Sequence, residues 1–272
     1  FGGDHFGAAT PNEPVPVPRW CPMSHGPRGA LMTRLDVELV SRDLVRSRTL
    51  AARLIKEGKV RVGGSVVTKP STPVDAHTPI TAEQEPWVSR GAYKLLGGLD
   101  DLDVRVPPLV LDAGASTGGF TQVVLDRGAE RVFAIDVGHG QMAPQLAEDP
   151  RVVMREGLNL RDLTLDDLDG QPVDLVVGDV SFISLPMLLE PLSAATHDAS
   201  QMLLLVKPQF EVGRKDLGAH GVVTDPTLQA RAVDTVVSQA SALGWALMGT
   251  APSRITGQDG NREFFVHVVR ST

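Results

Sequence analysis

Val110-Leu111-Asp112-Ala113-Gly114-Ala115-Ser116-Thr117-Gly118-Gly119-Phe120 decides the fold. An apolar run ends in an acid, and a glycine-rich turn follows. A helical pattern begins near Thr117 and continues through Val123, Val124 and Leu125. A buried strand, a tight loop and a helix open a βαβ unit. In open α/β sheets, ligands sit at such carboxyl ends of strands. A phosphate loop would carry Gly-Lys-Ser/Thr, and a dinucleotide fingerprint would read Gly-x-Gly-x-x-Gly. The spacing here is Gly114-x-x-x-Gly118-Gly119. It suits a ligand with a nucleoside and an amino-acid end but no phosphate, and S-adenosyl-L-methionine is such a ligand. Asp112 is expected to meet its ammonium group. Gly114, Ser116, Thr117, Gly118, Gly119 and Phe120 are expected to form the bed, with the Phe120 ring turned to the core. The plain alternative is an ordinary glycine-rich turn.

Outward from this loop, strands are expected at 109–113, 131–136, 151–155, 173–178, 202–206, 245–250 and 263–269. Helical patterns fall around 118–127, 140–147, 185–195 and 226–243. Alternation of this kind predicts an α/β fold, a seven-stranded, mostly parallel, Rossmann-like sheet covered on both faces. The last two strands have no helix between them and should pair antiparallel at one edge. Asp136 ends the second strand, where an acid accepts hydrogen bonds from ribose hydroxyls. NAD enzymes use the same device, so Asp136 supports a nucleoside without choosing which. Asn159 and Asp162 are candidates for the adenine edge, or simply turn caps.

The chain has 272 residues and a formal net charge of −7. That length accommodates one large and one small domain. Cys21 is the single cysteine, so no intrachain disulfide forms and a reducing, cytoplasmic setting is expected. No apolar run approaches membrane-spanning length. Residues 1–32 are rich in Gly and Pro without periodicity and read as a disordered extension, with Met32 the expected natural start. Residues 33–81 form a second unit of two short helices and a hairpin, Val60-Arg-Val62, Gly63-Gly64, Val66-Val67. Between 33 and 80 lie nine basic residues against five acidic, a net +4 in an acidic protein. Arg34, Arg46, Arg48, Arg53, Lys56, Lys59, Arg61 and Lys69 are candidate RNA contacts, through phosphates. Residues 82–89 read as a linker, and 90–272 as the catalytic domain.

Four groups belong near strand ends. Asp179 follows the strand 173–178, Lys207 follows 202–206, Glu263 opens the last strand, and Lys94 lies on the helix before the glycine strand. Each alone is explained by a salt bridge or a solvated face. Together they place two lysines and two carboxylates where a methyl donor would sit. A lysine takes a proton from a hydroxyl only if its pKa falls below about 10.4. Burial and a second lysine lower it, while a close carboxylate raises it. No metal-ligand constellation surrounds His139. Phe133, Trp245 and Phe265 read as core, whereas Phe182 and Phe210 follow the proposed catalytic strand ends and are placed to wall the pocket or stack on a flipped base.

Arg34-Leu-Asp, Ser47-Arg-x-x-Ala51, Ile55-Lys-Glu-Gly-Lys59-Val and Val62-Gly-Gly resemble the S-four RNA-binding domain. Ser89-Arg-Gly-Ala-Tyr-Lys94-Leu, Leu111–Thr121, Asp136-Val-Gly-x-Gly140-Gln, Asp179-Val-Ser-Phe-Ile-Ser184-Leu, Val206-Lys-Pro-Gln-Phe-Glu211-Val-Gly and Gly260-Asn-x-Glu263-Phe-Phe resemble the TlyA family. These are rRNA methyltransferases historically labelled hemolysins, with an FtsJ-like catalytic domain. The likeness spans about residues 33–270. It implies a Lys94-Asp179-Lys207-Glu263 tetrad, ribose 2′-O methylation of cytidine in 16S or 23S ribosomal RNA, and ribosomal RNA or subunits as partners. It also implies a coupling linker at Pro86-Trp87-Val88. The competing readings are an NAD-dependent oxidoreductase, a membrane-active hemolysin and a non-catalytic assembly factor.

Overall fold

The computed structural model describes residues 32–45, 47–83 and 85–271. Arg46 and the expected N-terminal extension up to residue 31 lie outside them. The chain divides into two compact units, Phe1–Gln84 and Glu85–Thr272.

In the first unit, β1 (Thr33–Arg34) leads into α1 (Leu35–Ser41), and α2 (Arg48–Lys56) follows. Ser47 stops the extended chain and its hydroxyl accepts the Leu50 N–H, capping α2. Leu35, Leu39, Leu54, Ile55 and Val60 form a closed core. β2 (Val60–Val62) pairs with β3 (Ser65–Val66) and with β5 (Ile80–Ala82), and β4 (Pro73–Val74) pairs with β1. Gly63 and Gly64 both have positive φ, the backbone that a two-residue hairpin turn with the right twist requires.

The second unit opens on α3 (Arg90–Asp101), then β6 (Leu109–Ala113), α4 (Gly119–Asp126), β7 (Arg131–Asp136), α5 (Pro144–Ala147) and β8 (Val152–Glu156). β9 (Val173–Gly178), α6 (Leu189–Ala194), β10 (Thr196–Val206), α7 (Pro208–Glu211), α8 (Pro226–Ala242), β11 (Trp245–Pro252) and β12 (Phe264–Arg270) complete it. The sheet order is β11-β12-β10-β9-β6-β7-β8, and β12 runs antiparallel to both neighbours. Buried aliphatic side chains cover both faces. The stretch expected as a linker is shared out: Ala82 closes β5, while the Val88 N–H donates to Gln122 Oε1 within the second unit.

Two expected helices are shorter than their patterns. Only Pro144–Ala147 is helical of 140–147, because Gly140 takes a positive φ and its N–H is held by Glu156. The 185–195 pattern breaks into a 3-10 turn, Leu185–Met187, and α6; Pro186 and Pro191 lack the N–H groups a continuous helix would use.

Chain order places the ligand cleft. From β6 the chain moves one way to β7 and β8, then returns to lay β9 on the other side of β6. The crevice between β6 and β9 is therefore the topological switch point. α3 closes the sheet near it through Gly98, where a Cβ would stand 2.7 Å from the Phe265 ring. Gly98→Ala should overpack this contact, at a cost of about 1–3 kcal/mol. Calorimetry should show the lower Tm, and an unchanged Tm would contradict the packing described.

Candidate active site

The tetrad follows from strand register. β10 and β12 are antiparallel with Val206 opposite Phe264. The residue after β10, Lys207, and the residue before β12, Glu263, must then emerge at the same sheet edge. Glu263 and Phe265 are two residues apart and share a face. Gly98 rests on Phe265, so Lys94, one helical turn earlier, reaches Glu263. The Lys94 Nζ–Glu263 Oε2 distance is 2.6 Å.

Asp179 leaves β9 beside the glycine loop: its N–H donates to the Ala113 carbonyl, and a Cβ on Gly114 would stand 3.1 Å from the Asp179 carbonyl oxygen. Its Oδ1 lies 2.7 Å from Lys207 Nζ, and its Oδ2 lies 3.9 Å from Lys94 Nζ. Lys94, Lys207 and Glu263 are buried. Two ammonium and two carboxylate groups thus alternate in one contiguous chain, brought together from four separate parts of the sequence. Lys207 Nζ also donates to Ser181 Oγ at 2.7 Å, a partner that sequence reasoning missed. Gly257 was missed too; a Cβ there would come within 2.6 Å of Glu263 Oε1.

A cavity of about 770 Å³ opens on one side of Asp179. Gly114, Ser116, Asp136 and Asn159 line it, with Val137, Leu158 and Leu160 as apolar wall. Asp136 accepts the Ser116 N–H at 2.8 Å and the Gly138 N–H at 2.7 Å, which fixes the carboxylate at the mouth of the glycine loop. Asn159 also accepts the Arg161 N–H, so it caps a turn while facing the cavity. Gln141 and Arg161 line the wall as well, and nothing in their spacing marked them. Asp162 is not among the lining residues.

The other loop residues have different places. Thr117 is exposed outside the cavity, and its carbonyl holds the Ala143 N–H. Gly118 and Gly119 give way to neighbours, since a Cβ would fall 2.4 Å from Leu146 and 2.1 Å from Ser89 Oγ respectively. Phe120 is core, stacked on Phe265. These residues shape the loop rather than line the cavity.

Asp112 departs most from expectation. It has no exposed surface, and its Oδ2 accepts the Thr121 hydroxyl at 2.6 Å. Oδ1 is buried without a hydrogen-bond partner. Burial pushes its pKa up to about 7, against the Thr121 bond, and the negative charges of Asp179 and Asp136 add to the rise.

A second cavity, of about 420 Å³, lies on the tetrad's other side, lined by Lys94, Lys207, Glu263, Gln209, Phe210 and Asn261 among others. Ser181 and Phe182 line both cavities. Phe182 is 91% exposed with φ of 65°, and its ring centroid lies 5.3 Å from that of Phe210. Among the described residues no group of three His, Cys, Asp or Glu side chains is set to hold a metal. None of the described helices is long and apolar enough to cross a membrane.

In the first unit, Arg34, Arg48, Lys56, Arg61 and Lys69 are exposed, with Arg53 and Lys59 partly so. Buried Asp36 anchors Arg34 and Arg48 at 2.9 and 3.2 Å, and its carboxyl is held down at about 2, chiefly by the Arg34 hydrogen bond.

The FtsJ-like methyltransferase family matches residues 87–270, and the S4 domain matches residues 33–80. The chain belongs to the FtsJ-like methyltransferase family. It is 49% identical over 241 residues to the 16S/23S rRNA (cytidine-2′-O)-methyltransferase TlyA of Mycobacterium tuberculosis, covering 87% of this chain and 90% of that one. It is 32% identical to Hemolysin A of Brachyspira hyodysenteriae, covering 87% and 99%. A solved structure from Streptococcus thermophilus that carries a hemolysin label superposes with a TM-score of 0.71 at 35% identity, covering 88% of this chain and 89% of that one.

The raised pKa of Asp112 has a sign that stability measurements can read. An unfolded aspartate titrates near 3.9. Between about pH 4 and 7 the unfolded chain has lost this proton while the folded one keeps it, so stability falls as pH rises through that window. Asp112→Asn removes the titration. Its Tm advantage over the parent should grow from pH 4 to about 7 and then level off; a difference independent of pH would contradict the assignment.

Proposed function

We propose that the chain transfers a methyl group from S-adenosyl-L-methionine to the ribose 2′-hydroxyl of a cytidine in 16S or 23S ribosomal RNA, acting in the cytoplasm on ribosomal RNA or subunits. The observation that carries this reading is the tetrad standing between two cavities. One is lined by a glycine loop, two carboxylates and apolar walls. The other is lined by the tetrad lysines and Phe210.

The donor's chemistry fits the first cavity. Asp136 stands where ribose hydroxyls would sit, and Val137, Leu158 and Leu160 offer apolar surface to a purine. Gly114 leaves room against the Asp179 backbone, and the Asp179 carboxylate lines the cavity near the methionine end. When bound, the donor supplies an electrophilic methyl on a sulfonium.

The protein's part is to orient the hydroxyl and assist loss of its proton. The 2′-oxygen forms the new bond to the methyl carbon, the carbon–sulfur bond breaks with its electron pair left on sulfur, and the 2′ proton is lost to solvent, a loss that Lys207, polarised by its neighbours, promotes. Asp179 and Ser181 direct the Lys207 nitrogen from two sides. Lys94, anchored on Glu263, positions the nucleophile. Holding a hydroxyl in line with the methyl contributes by orientation alone. The exposed basic residues of the first unit supply phosphate contacts, which is the role its S4 match supports.

Lys207→Ala should lower kcat by about 10²–10⁴, the usual contribution of a side chain positioned to assist proton transfer. Calorimetry should show S-adenosyl-L-methionine still binding and NAD failing to bind. Wild-type turnover in this variant would overturn the assignment.

A further inference from the structure

Glu211 lies at the end of α7, four residues past Lys207, and the transfer chemistry above does not use it. Its carboxylate is half-buried and reaches back to the loop that leaves β9. Oε2 accepts the Ser184 hydroxyl at 2.6 Å, and Oε1 accepts the Leu185 N–H at 2.8 Å. Burial raises its pKa against both bonds. A carboxylate kept in such a place, with both oxygens engaged by one loop, is a tether.

That loop is the wall common to both cavities. It runs from Asp179 through Ser181, on Lys207 Nζ, and Phe182, to Ser184. Phe182 is held at φ of 65°, a left-handed backbone that a bulky residue adopts only when its surroundings impose it. Its exposed ring contributes little burial to offset that strain. Restraint comes from its neighbours: Val180 and Ile183 pack on the core, and the Phe182 ring lies against Phe210. The ends of the loop add to it: Asp179 and Ser181 on Lys207 fix the first end, and Glu211 fixes the second.

We propose that Glu211 is a positioning residue for methyl transfer: by clamping Ser184 and Leu185 it holds Phe182 in its strained turn and keeps Ser181 on Lys207. The inference rests on the functional reading above for its effect on rate, while its structural half stands apart from that reading. Without the clamp the loop relaxes at Phe182, Ser181 withdraws, and the Lys207 nitrogen loses one of its two directing partners. Lys94 keeps its own partner, Glu263, on a different element.

The test combines limited acetylation, read by mass spectrometry at each lysine, with steady-state kinetics on the full chain. In Glu211→Ala, Lys207 should acetylate several-fold faster while Lys94 stays slow. kcat should fall about 10-fold or more, as for a misplaced reacting group, with the donor KM and the Tm close to wild type. Glu211→Gln can still accept from Leu185 and can donate to Ser184, so it should recover most of the rate. Should Glu211→Ala fail to fold, Ser184→Ala removes one of the two bonds and carries the same comparison.

Unchanged Lys207 labelling and rate would overturn the proposal. So would both lysines accelerating together, or a Gln variant as impaired as the Ala variant. Labelling needs neither RNA nor donor. Absence of methyl transfer by the wild type would therefore reject the proposed function and leave the labelling test of Glu211 standing.

Discussion

The structure depends on one carboxylate. Asp179 stands at the end of β9, against the glycine loop, with one oxygen on Lys207 and the other toward Lys94. Buried charges are tolerated when each has a partner, and removing one partner of such a set costs about 3–5 kcal/mol. Lys94, Lys207 and Glu263 could not be buried singly. They are buried together because Asp179 joins two ion pairs into a neutral group of four. The same carboxylate faces the first cavity, so the group that holds the lysines also meets what binds beside them.

Everything around Asp179 serves to bring those strand ends into register. The antiparallel β12 starts where β10 stops, which sets Glu263 beside Lys207. Gly98 lets α3 approach Phe265 closely enough for Lys94 to arrive. Gly257 leaves room for the Glu263 carboxylate. Asn261 and Gln229 hold the Gly221–Val223 segment by hydrogen bonds to its backbone, closing one side of the second cavity. Small residues and buried amides therefore decide where the charged ones stand.

Much of this was legible in the chain itself. Strands that end in Ala113, Asp136 and Gly178 announce an open α/β sheet because their apolar runs are short, bounded and separated by helical patterns. Lys207 and Glu263 could be assigned to the ends of strands because such a residue needs only its element to be located, although β12 begins at Phe264, one residue after Glu263. Ser181 and Glu211 were not recognised, since their meaning lies in partners 26 or 27 residues away. Asp112 was expected to reach the ligand directly. Its position in β6 instead buries it completely, since a central parallel strand is covered on both faces. Helix lengths near Gly140 and Pro191 were overestimated, because hydrophobic spacing continues where the backbone cannot.

Charge is divided between the two units: exposed cations on the S4 unit, and in the methyltransferase unit a tetrad of two lysines and two carboxylates of which Lys94, Lys207 and Glu263 are buried. Under the proposed function, this tetrad directs a methyl group to a ribose oxygen of RNA. Incubating the protein with ribosomal subunits and a donor carrying an isotopically labelled methyl, then resolving the nucleosides by mass spectrometry, tests it directly. The label should appear on the ribose of 2′-O-methylcytidine. Label on a base, or no label in RNA, would contradict it.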